Sequence, residues 1–390
     1  MNNTQNTTIF ILNNKINVFN EETLHELTSQ AYTRYIKNTN EIKTRNQWKT
    51  SGAGAMFTGA YNPSDFPTDC LFQINDITSC HNSDEFIYSA SAIDFSCIYR
   101  KSYINDSMPE KLIYSNREIV ITDIDFRYGK LLAAISDQSI ETHIAVFDIN
   151  KTGYDFITDG DSIEENPSWS KINNNILFYN CKGIGRDVNG NIVGYSPRYI
   201  CRLDISSGTI DELASSEKYE FLKPQEDSQG NLFYIRIPHK EVVSRNFLKD
   251  ILLAPFRLIK GIFGFLNFFT LRYTGESLRT NGSNPSKARV KSEKDLFIEG
   301  NIINAQKNIK ENHASGDKYP GIAPKSWELR RLDRDGNEIC VKKGIIDFDL
   351  LDDGNILYSN GHFIIKTDPS FTEDVLVTKA ATTLKVIGVQ

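Results

Sequence analysis

One unit recurs along the 390-residue chain: a short strand, a turn closing on Gly-Asn or Asn-Asn, an apolar strand, a strand ending in Asp, a turn and a last strand. The clearest copy starts at Asn166 and reads NPSWSKINNNILFYN, then RYICRLDISSGTIDEL. The next reads FLKPQEDSQGNLFYIRIP and resumes far downstream as SWELRRLDRDGNEICVKKG. IIDFDLLDDGNILYSNGHFIIKTDP with DVLVTKA follows, and upstream ITDIDFRYGKLLAAISD with THIAVFDINKTGYDFITDG fits the same template. ITSCHNSDEFIYSAS and CIYRKSYINDSMPEKLIYS fit it more loosely.

NILFY, NLFYI and NILYS are short apolar runs of the kind that fill the middle of a sheet. The turns SQGN, DDGN, SSGT and RDGN put Gly where a tight hairpin needs a left-handed backbone. A four-stranded antiparallel sheet made this way has two faces to bury, and sheets stacked in a ring bury both. The expected fold is therefore all-β: a six-bladed β-propeller of four-stranded antiparallel blades, with a partly helical insertion in one blade. Five units are complete or nearly so. The sixth is split, with TTLKVIGV at the C-terminus supplying the strand that TIFILNNKINVFNEETLHELTS at the N-terminus lacks. Such closure removes the free sheet edges. Residues 31–69, with a helix expected over Tyr32–Lys49, fit the count least well, and a seventh blade there is the alternative.

The copy at Asn166 resembles the repeat of TolB-like six-bladed propellers, also called WD40-like repeats. Their pattern is Pro-x-Trp-Ser before a turn, then Ile-Tyr-x-x-Asp before a Gly turn. Pro167, Trp169, Ser170, Ile200, Asp204 and Gly208 match it, while Cys201 stands in place of the Tyr. The resemblance runs over about Leu71–Gln390 outside one insertion. It implies a protein-binding platform of bacterial origin. Related propellers also include enzymes acting on sugars, peptides and lipids, because fold does not fix function.

The propeller is expected to comprise residues 1–238 and 326–390, and residues 239–325 interrupt one blade between its second and third strands. A structureless loop of that length is uncommon in a compact domain. The segment holds fifteen Lys and Arg against eight Asp and Glu, so it carries about +7 and the rest of the chain about −13. Its first part, residues 245–272, is the most apolar stretch of the chain. Pro255 suits the first position of a helix there. Phe256, Ile259, Ile262, Phe263, Leu266 and Phe269 form a broad apolar face, with Arg257 and Lys260 on a narrow polar stripe. Such a helix has three outlets: packing within its own chain, a protein partner, or the interface of an anionic membrane. It is shorter than a membrane span. Self-association through the same face is a related outcome. A second helix is expected over Leu296–Asn312.

Motifs of catalysis are weak. GYSPR from Gly194 lacks the closing Gly of a nucleophile elbow, and GAGAMFTG from Gly52 lacks the ending of a phosphate loop. Asp159, Asp161, Glu164 and Glu165 form an acidic cluster, and Asp187–Asn191 reads as half of a calcium loop or as a hairpin turn. No pair among His25, His81, His143, His239, His313 and His362 has helical ligand spacing, and the six Cys have no zinc-ligand pattern. They are expected as buried thiols. Neither metal nor cofactor is expected. The net charge of −6 argues against nucleic acid as a partner of the propeller. The N-terminus shows no secretion signal, so the expected location is cytoplasmic, with membrane-peripheral as a variant. The reading is a non-catalytic scaffold that meets a protein partner through residues 239–325. The alternatives are a hydrolase or lyase acting on a sugar or peptide in the central funnel, and a peripheral membrane factor.

Overall fold

The computed structural model describes residues 7–20, 23–50, 72–81, 83–92, 95–137, 139–149, 153–239 and 295–389. One compact unit is a six-bladed propeller. Blade one is β4 (Gln73–Ser79), β5 (Glu85–Ala92), β6 (Phe95–Ser102) and β7 (Lys111–Asn116). Blade two is β8 (Val120–Arg127), β9 (Lys130–Ser136), β10 (His143–Asp148) and β11 (Asp155–Phe156). Blade three is β12 (Ser162–Trp169), β13 (Ile176–Arg186), β15 (Tyr199–Asp204) and β16 (Thr209–Ala214), with β14 (Ile192–Tyr195) folded back on β13. Blade four is β17 (Tyr219–Glu226), β18 (Leu232–Pro238), β21 (Glu328–Leu332) and β22 (Glu338–Lys343). Blade five is β23 (Asp347–Leu350), β24 (Ile356–Ser359), β25 (Phe363–Thr367) and β26 (Asp374–Lys379). Blade six joins the chain ends: β27 (Lys385–Val389) pairs with β1 (Thr7–Leu12), followed by β2 (Lys15–Asn20) and β3 (Thr23–Leu27).

Hairpin chemistry sets the registers. Leu12 faces Lys15 across a two-residue loop in which Asn13 and Asn14 take φ of 51° and 61°, the backbone of a type I′ turn. Tyr128 and Gly129 repeat it between Arg127 and Lys130, with φ of 56° and 73°. The Asp-x-x-Gly-Asn turns close on themselves: Asp227 Oδ1 accepts from the amides of Gln229 and Asn231, and Asp187 and Asp333 do the same in their own turns.

The core lies between blades. Ile87 and Ile98 meet Ile121, Leu131 and Ile135 between blades one and two, and Leu132, Ala134 and Ile144 meet Trp169, Leu177 and Tyr179 between blades two and three. Phe10 and Val386 meet Leu357 and Ile364 where blade six joins blade five. Burying each such side chain contributes about 1.5–3 kcal/mol.

Strands β18 and β21 pair in register from Leu232↔Leu332 to Arg236↔Glu328, so blade four is complete although residues 239–327 separate them. The described end of that insertion differs from the single helix expected over Leu296–Asn312. A hairpin of β19 (Asp295–Ile298) and β20 (Asn301–Asn304) comes first, turning at Glu299 and Gly300, and helix α2 spans only Ala305–Ala314. Two facts account for the difference. Gly300, at φ 76°, makes the turn that breaks the helix, and the Asn304 side chain caps α2 by accepting from the Lys307 amide. Ile298 and Ile303 are buried with Trp327 and Phe348 in the core of blades four and five.

A second unit includes, among the described residues, helix α1 (Gln30–Thr50), where Tyr32 and Tyr35 pack on Phe72 at 5.6 and 5.8 Å between ring centroids. The candidate contact residues Phe256, Arg257, Ile259, Lys260, Ile262, Phe263, Leu266 and Phe269 lie outside the described residues, as does the apolar stretch 245–272 as a whole. Of the five described cysteines all are free thiols; Cys80, Cys97, Cys181 and Cys201 are buried and Cys340 is exposed, contrary to expectation for the last. Cys340 sits on the outermost strand of its blade, which has no neighbouring strand on one side.

Candidate functional site: the central channel

The inner strands β4, β8, β12, β17, β23 and β27 line a cavity of about 310 Å³. Its walls are mostly polar because each inner strand sends a side chain to the next. Asp76 Oδ2 accepts from the Ile124 amide at 2.8 Å, and Asp125 Oδ2 from the Trp169 amide at 2.7 Å. Ser168 Oγ donates to the Pro224 carbonyl at 2.6 Å. Gln225 bonds both the Phe348 carbonyl and the Leu350 amide. Asp347 and Asp349 accept from the amides of Val386 and Gly388 at 2.7 and 2.8 Å. Lys385 Nζ then meets Asp76 Oδ1 at 2.9 Å. Every blade is thus linked to the next by a belt of six steps that closes on itself.

Local backbone irregularity presents these groups. The pairing of inner strand with second strand slips between Ile121 and Ile124, between Glu165 and Ser168, and between Leu222 and Gln225. These bulges re-aim side chains. Asn166 and Lys223 sit in two of them with φ of 51° and 54°, each directly before a Pro. Asn166 donates to Asp123 at 2.7 Å, and Lys223 Nζ lies 2.9 Å from Asp347 and 3.4 Å from Glu299. Glu299 is the turn residue of the β19–β20 hairpin, so the described end of the insertion reaches the channel wall.

Burial sets the electrostatics. It raises the Asp123 carboxyl to about 6, with Asp76 and Glu165 adding to the effect, and it raises Asp349 to about 6 against the pull of Lys171. For Lys385 burial works against the charge, but Asp76 and Asp347 outweigh it and hold the ammonium well above its ordinary value. Lys171 is pushed down by burial.

At the end where the inner strands finish, the mouth has two halves. His81, Arg127 and Lys171 follow or end the inner strands of blades one, two and three; Glu226 and Asp352 stand at the equivalent ends of blades four and five. Lys171 crosses the mouth and donates to the Leu350 carbonyl at 2.6 Å.

The repeat-signature residues take structural places. Trp169 is buried between blades two and three, Ser170 Oγ donates to Glu226, Ile200 is buried, and Asp204 with Gly208 at φ 69° forms the β15–β16 turn. The acidic cluster does not converge. Asp161 pairs with Arg186, Glu164 accepts from Thr158, and Glu165 pairs with Arg198 at 2.8 Å. Asp187 holds a turn, and Ser196 of GYSPR accepts from the Gly183 amide and donates to the Pro197 carbonyl. Among the described residues no group of three or more His, Cys, Asp and Glu is placed to hold a metal ion. Sequence reasoning missed the belt residues and the mouth; the acid or amide side chain recurring in the inner strands (Asp76, Asp125, Gln225, Asp349) was the available signal.

No family model and no curated protein matches the chain. Solved structures do. TolB from Acinetobacter baumannii is 8% identical with a TM-score of 0.48, over 98% of this chain and 65% of that one. A chain of the nidogen/laminin complex is 8% identical with a TM-score of 0.50, over 99% and 98%. Oligogalacturonate lyase in complex with manganese is 8% identical with a TM-score of 0.31, over 43% and 51%. The chain spans about two thirds of the TolB chain's length. The protein is a six-bladed β-propeller with structural similarity to TolB propeller domains at low sequence identity.

Proposed function

We propose that the protein is a non-catalytic binding propeller that meets a protein partner through the basic, apolar insertion of residues 239–325. The observation that carries this reading is the belt: Asp76, Asp125, Asp347 and Asp349 each accept from a backbone amide of the next blade. A carboxylate held that way stabilises the ring and is poorly placed to move protons or attack a substrate. The insertion leaves blade four complete, so its sequence is free to serve a contact. Pull-down of the full chain and of a chain lacking Ser244–Arg272 tests the reading. Partners are expected on the full chain and lost from the deletion. The same partners on both would refute the insertion as the contact.

One observation favours an enzymatic second reading: the funnel is polar, and two buried acids have carboxyls raised to about 6, near the range of a general acid: Asp349 in its lining, and Asp123, which accepts from the lining residue Asn166. Asp123→Asn and Asp349→Asn variants that still bind partners as the wild type does would speak against it.

A further inference from the structure

We propose that the basic arc of the channel mouth, Arg127 with Lys171 and His81, binds an oxyanion, a carboxylate or phosphate group of a ligand docked at that mouth. Many hydrogen-bonding groups of the mouth are already engaged within the ring. Asp125 accepts from the Trp169 amide and from Thr78. Glu226 accepts from Ser170 and from the Lys171 amide. Asp349 accepts from the Gly388 amide. Asp352 is 64% exposed and stands 3.9 Å from Lys171. The acids of the mouth are thus satisfied by the ring itself or face water.

The donors are not. Arg127 lines the cavity, half-buried, and its guanidinium has no hydrogen-bond or ion-pair partner among the described residues; its one described neighbour of that kind is the ring of Tyr128, at 5.8 Å. Five N–H groups in a planar fork match the two oxygens of a carboxylate or phosphate. Lys171 uses one N–H on the Leu350 carbonyl and has two left. His81 lines the same cavity with no hydrogen-bond partner among the described residues. The unused capacity of the mouth is therefore donor capacity, gathered on three neighbouring blades.

The arc is also held in place. Arg127 begins the turn in which Tyr128 takes φ 56°, a conformation disfavoured for a bulky residue. The Tyr128 hydroxyl donates to the Ser170 carbonyl at 2.9 Å, fixing the Arg127 turn beside the residue that precedes Lys171. Strain that is kept at a cavity mouth marks positions where geometry matters.

The proposal is independent of the partner contact, because it is tested on the purified chain without a partner. Thermal shift and calorimetric titration with inorganic phosphate and with acetate, against chloride at equal ionic strength, are the measurements. A saturable response to phosphate alone identifies a phosphoryl ligand, and one to acetate alone a carboxylate. In either case Arg127→Met and Lys171→Met are each expected to weaken binding about tenfold or more. Arg127→Lys, which keeps the charge, should retain part of it and shows that the ring is folded. No response to either anion, or equal responses in wild type and Arg127→Met, overturns the site. Pull-down with the Ser244–Arg272 deletion reads the insertion separately, so either idea can fail alone.

Discussion

Lys385 Nζ stands 2.9 Å from Asp76 Oδ1, joining the last strand of the chain to the innermost strand of blade one. This step of the belt is an ion pair, whereas the other five put a side chain on a backbone group, with Lys223–Asp347 as a second ion pair beside the step from blade four to blade five. Lys385 is also on the strand that completes blade six beside β1. The pair that joins blade six to blade one is 25% and 4% exposed, and the Ile74 amide donating to Asn14 Oδ1 at 2.7 Å joins the same two blades.

Lys385→Met is expected to lower the unfolding free energy by about 3–5 kcal/mol, because it leaves Asp76 charged and buried without its partner. Lys385→Met with Asp76→Asn should lose less than the sum of the two single changes. Urea denaturation of the four proteins measures both. A loss below about 1 kcal/mol in the single variant would show that the pair does not hold the closure.

The raised carboxyl of Asp349 gives a signed pH dependence. Its value moves from the ordinary 3.8 to about 6 in the folded ring. Between those values the folded state keeps the proton that the unfolded state has lost, so its contribution falls as pH rises from about 4 to about 6. Asp349→Asn keeps an acceptor for the Gly388 amide and removes the titration. It is expected to be more stable than wild type at pH 7, by about 3 kcal/mol at most, and equal to it near pH 4. Denaturation at both pH values compares them; a difference that grows toward low pH would contradict the sign.

Asp187 holds a turn with Asn189 and Asn191, as Asp227 does with Gln229 and Asn231. Millimolar calcium is expected to leave the Tm unchanged. Asp227→Ala should cost about 1 kcal/mol in thermal denaturation, the worth of side-chain bonds to a turn backbone.

The described end of the insertion is anchored by Ile298 and Ile303 in the core of blades four and five. Deleting Ser244–Arg272 is expected to keep the Tm of the ring within about 2 °C. Ile298→Ala, in contrast, removes a side chain that is 5% exposed in the core of blades four and five, and should cost about 2–5 kcal/mol. Differential scanning calorimetry of the two proteins makes the comparison, and reversal of their order would show that Ile298 does not anchor the hairpin.

The sequence by itself determined the repeat, the blade count, the split sixth blade and the place of the insertion between β18 and β21. Each rests on local physics: alternation of apolar and turn residues, and Gly or Asn where φ is positive, as at Asn13, Asn14 and Gly208. Asp187 was ambiguous for the same reason that its turn works, since oxygens that bind calcium also accept backbone amides. The β19–β20 hairpin was hidden because LFIEGNIIN alternates too briefly to be told from a helix start. Only the tertiary structure decided what the inner-strand acids do. Asp76 bonds a residue 48 positions away and Lys385 meets it from the other end of the chain. Such pairs are set by the ring's closure, which brings distant segments together at a distance that no local pattern encodes. The same holds for the mouth, where Arg127, Lys171 and His81 become neighbours because three parallel inner strands end side by side.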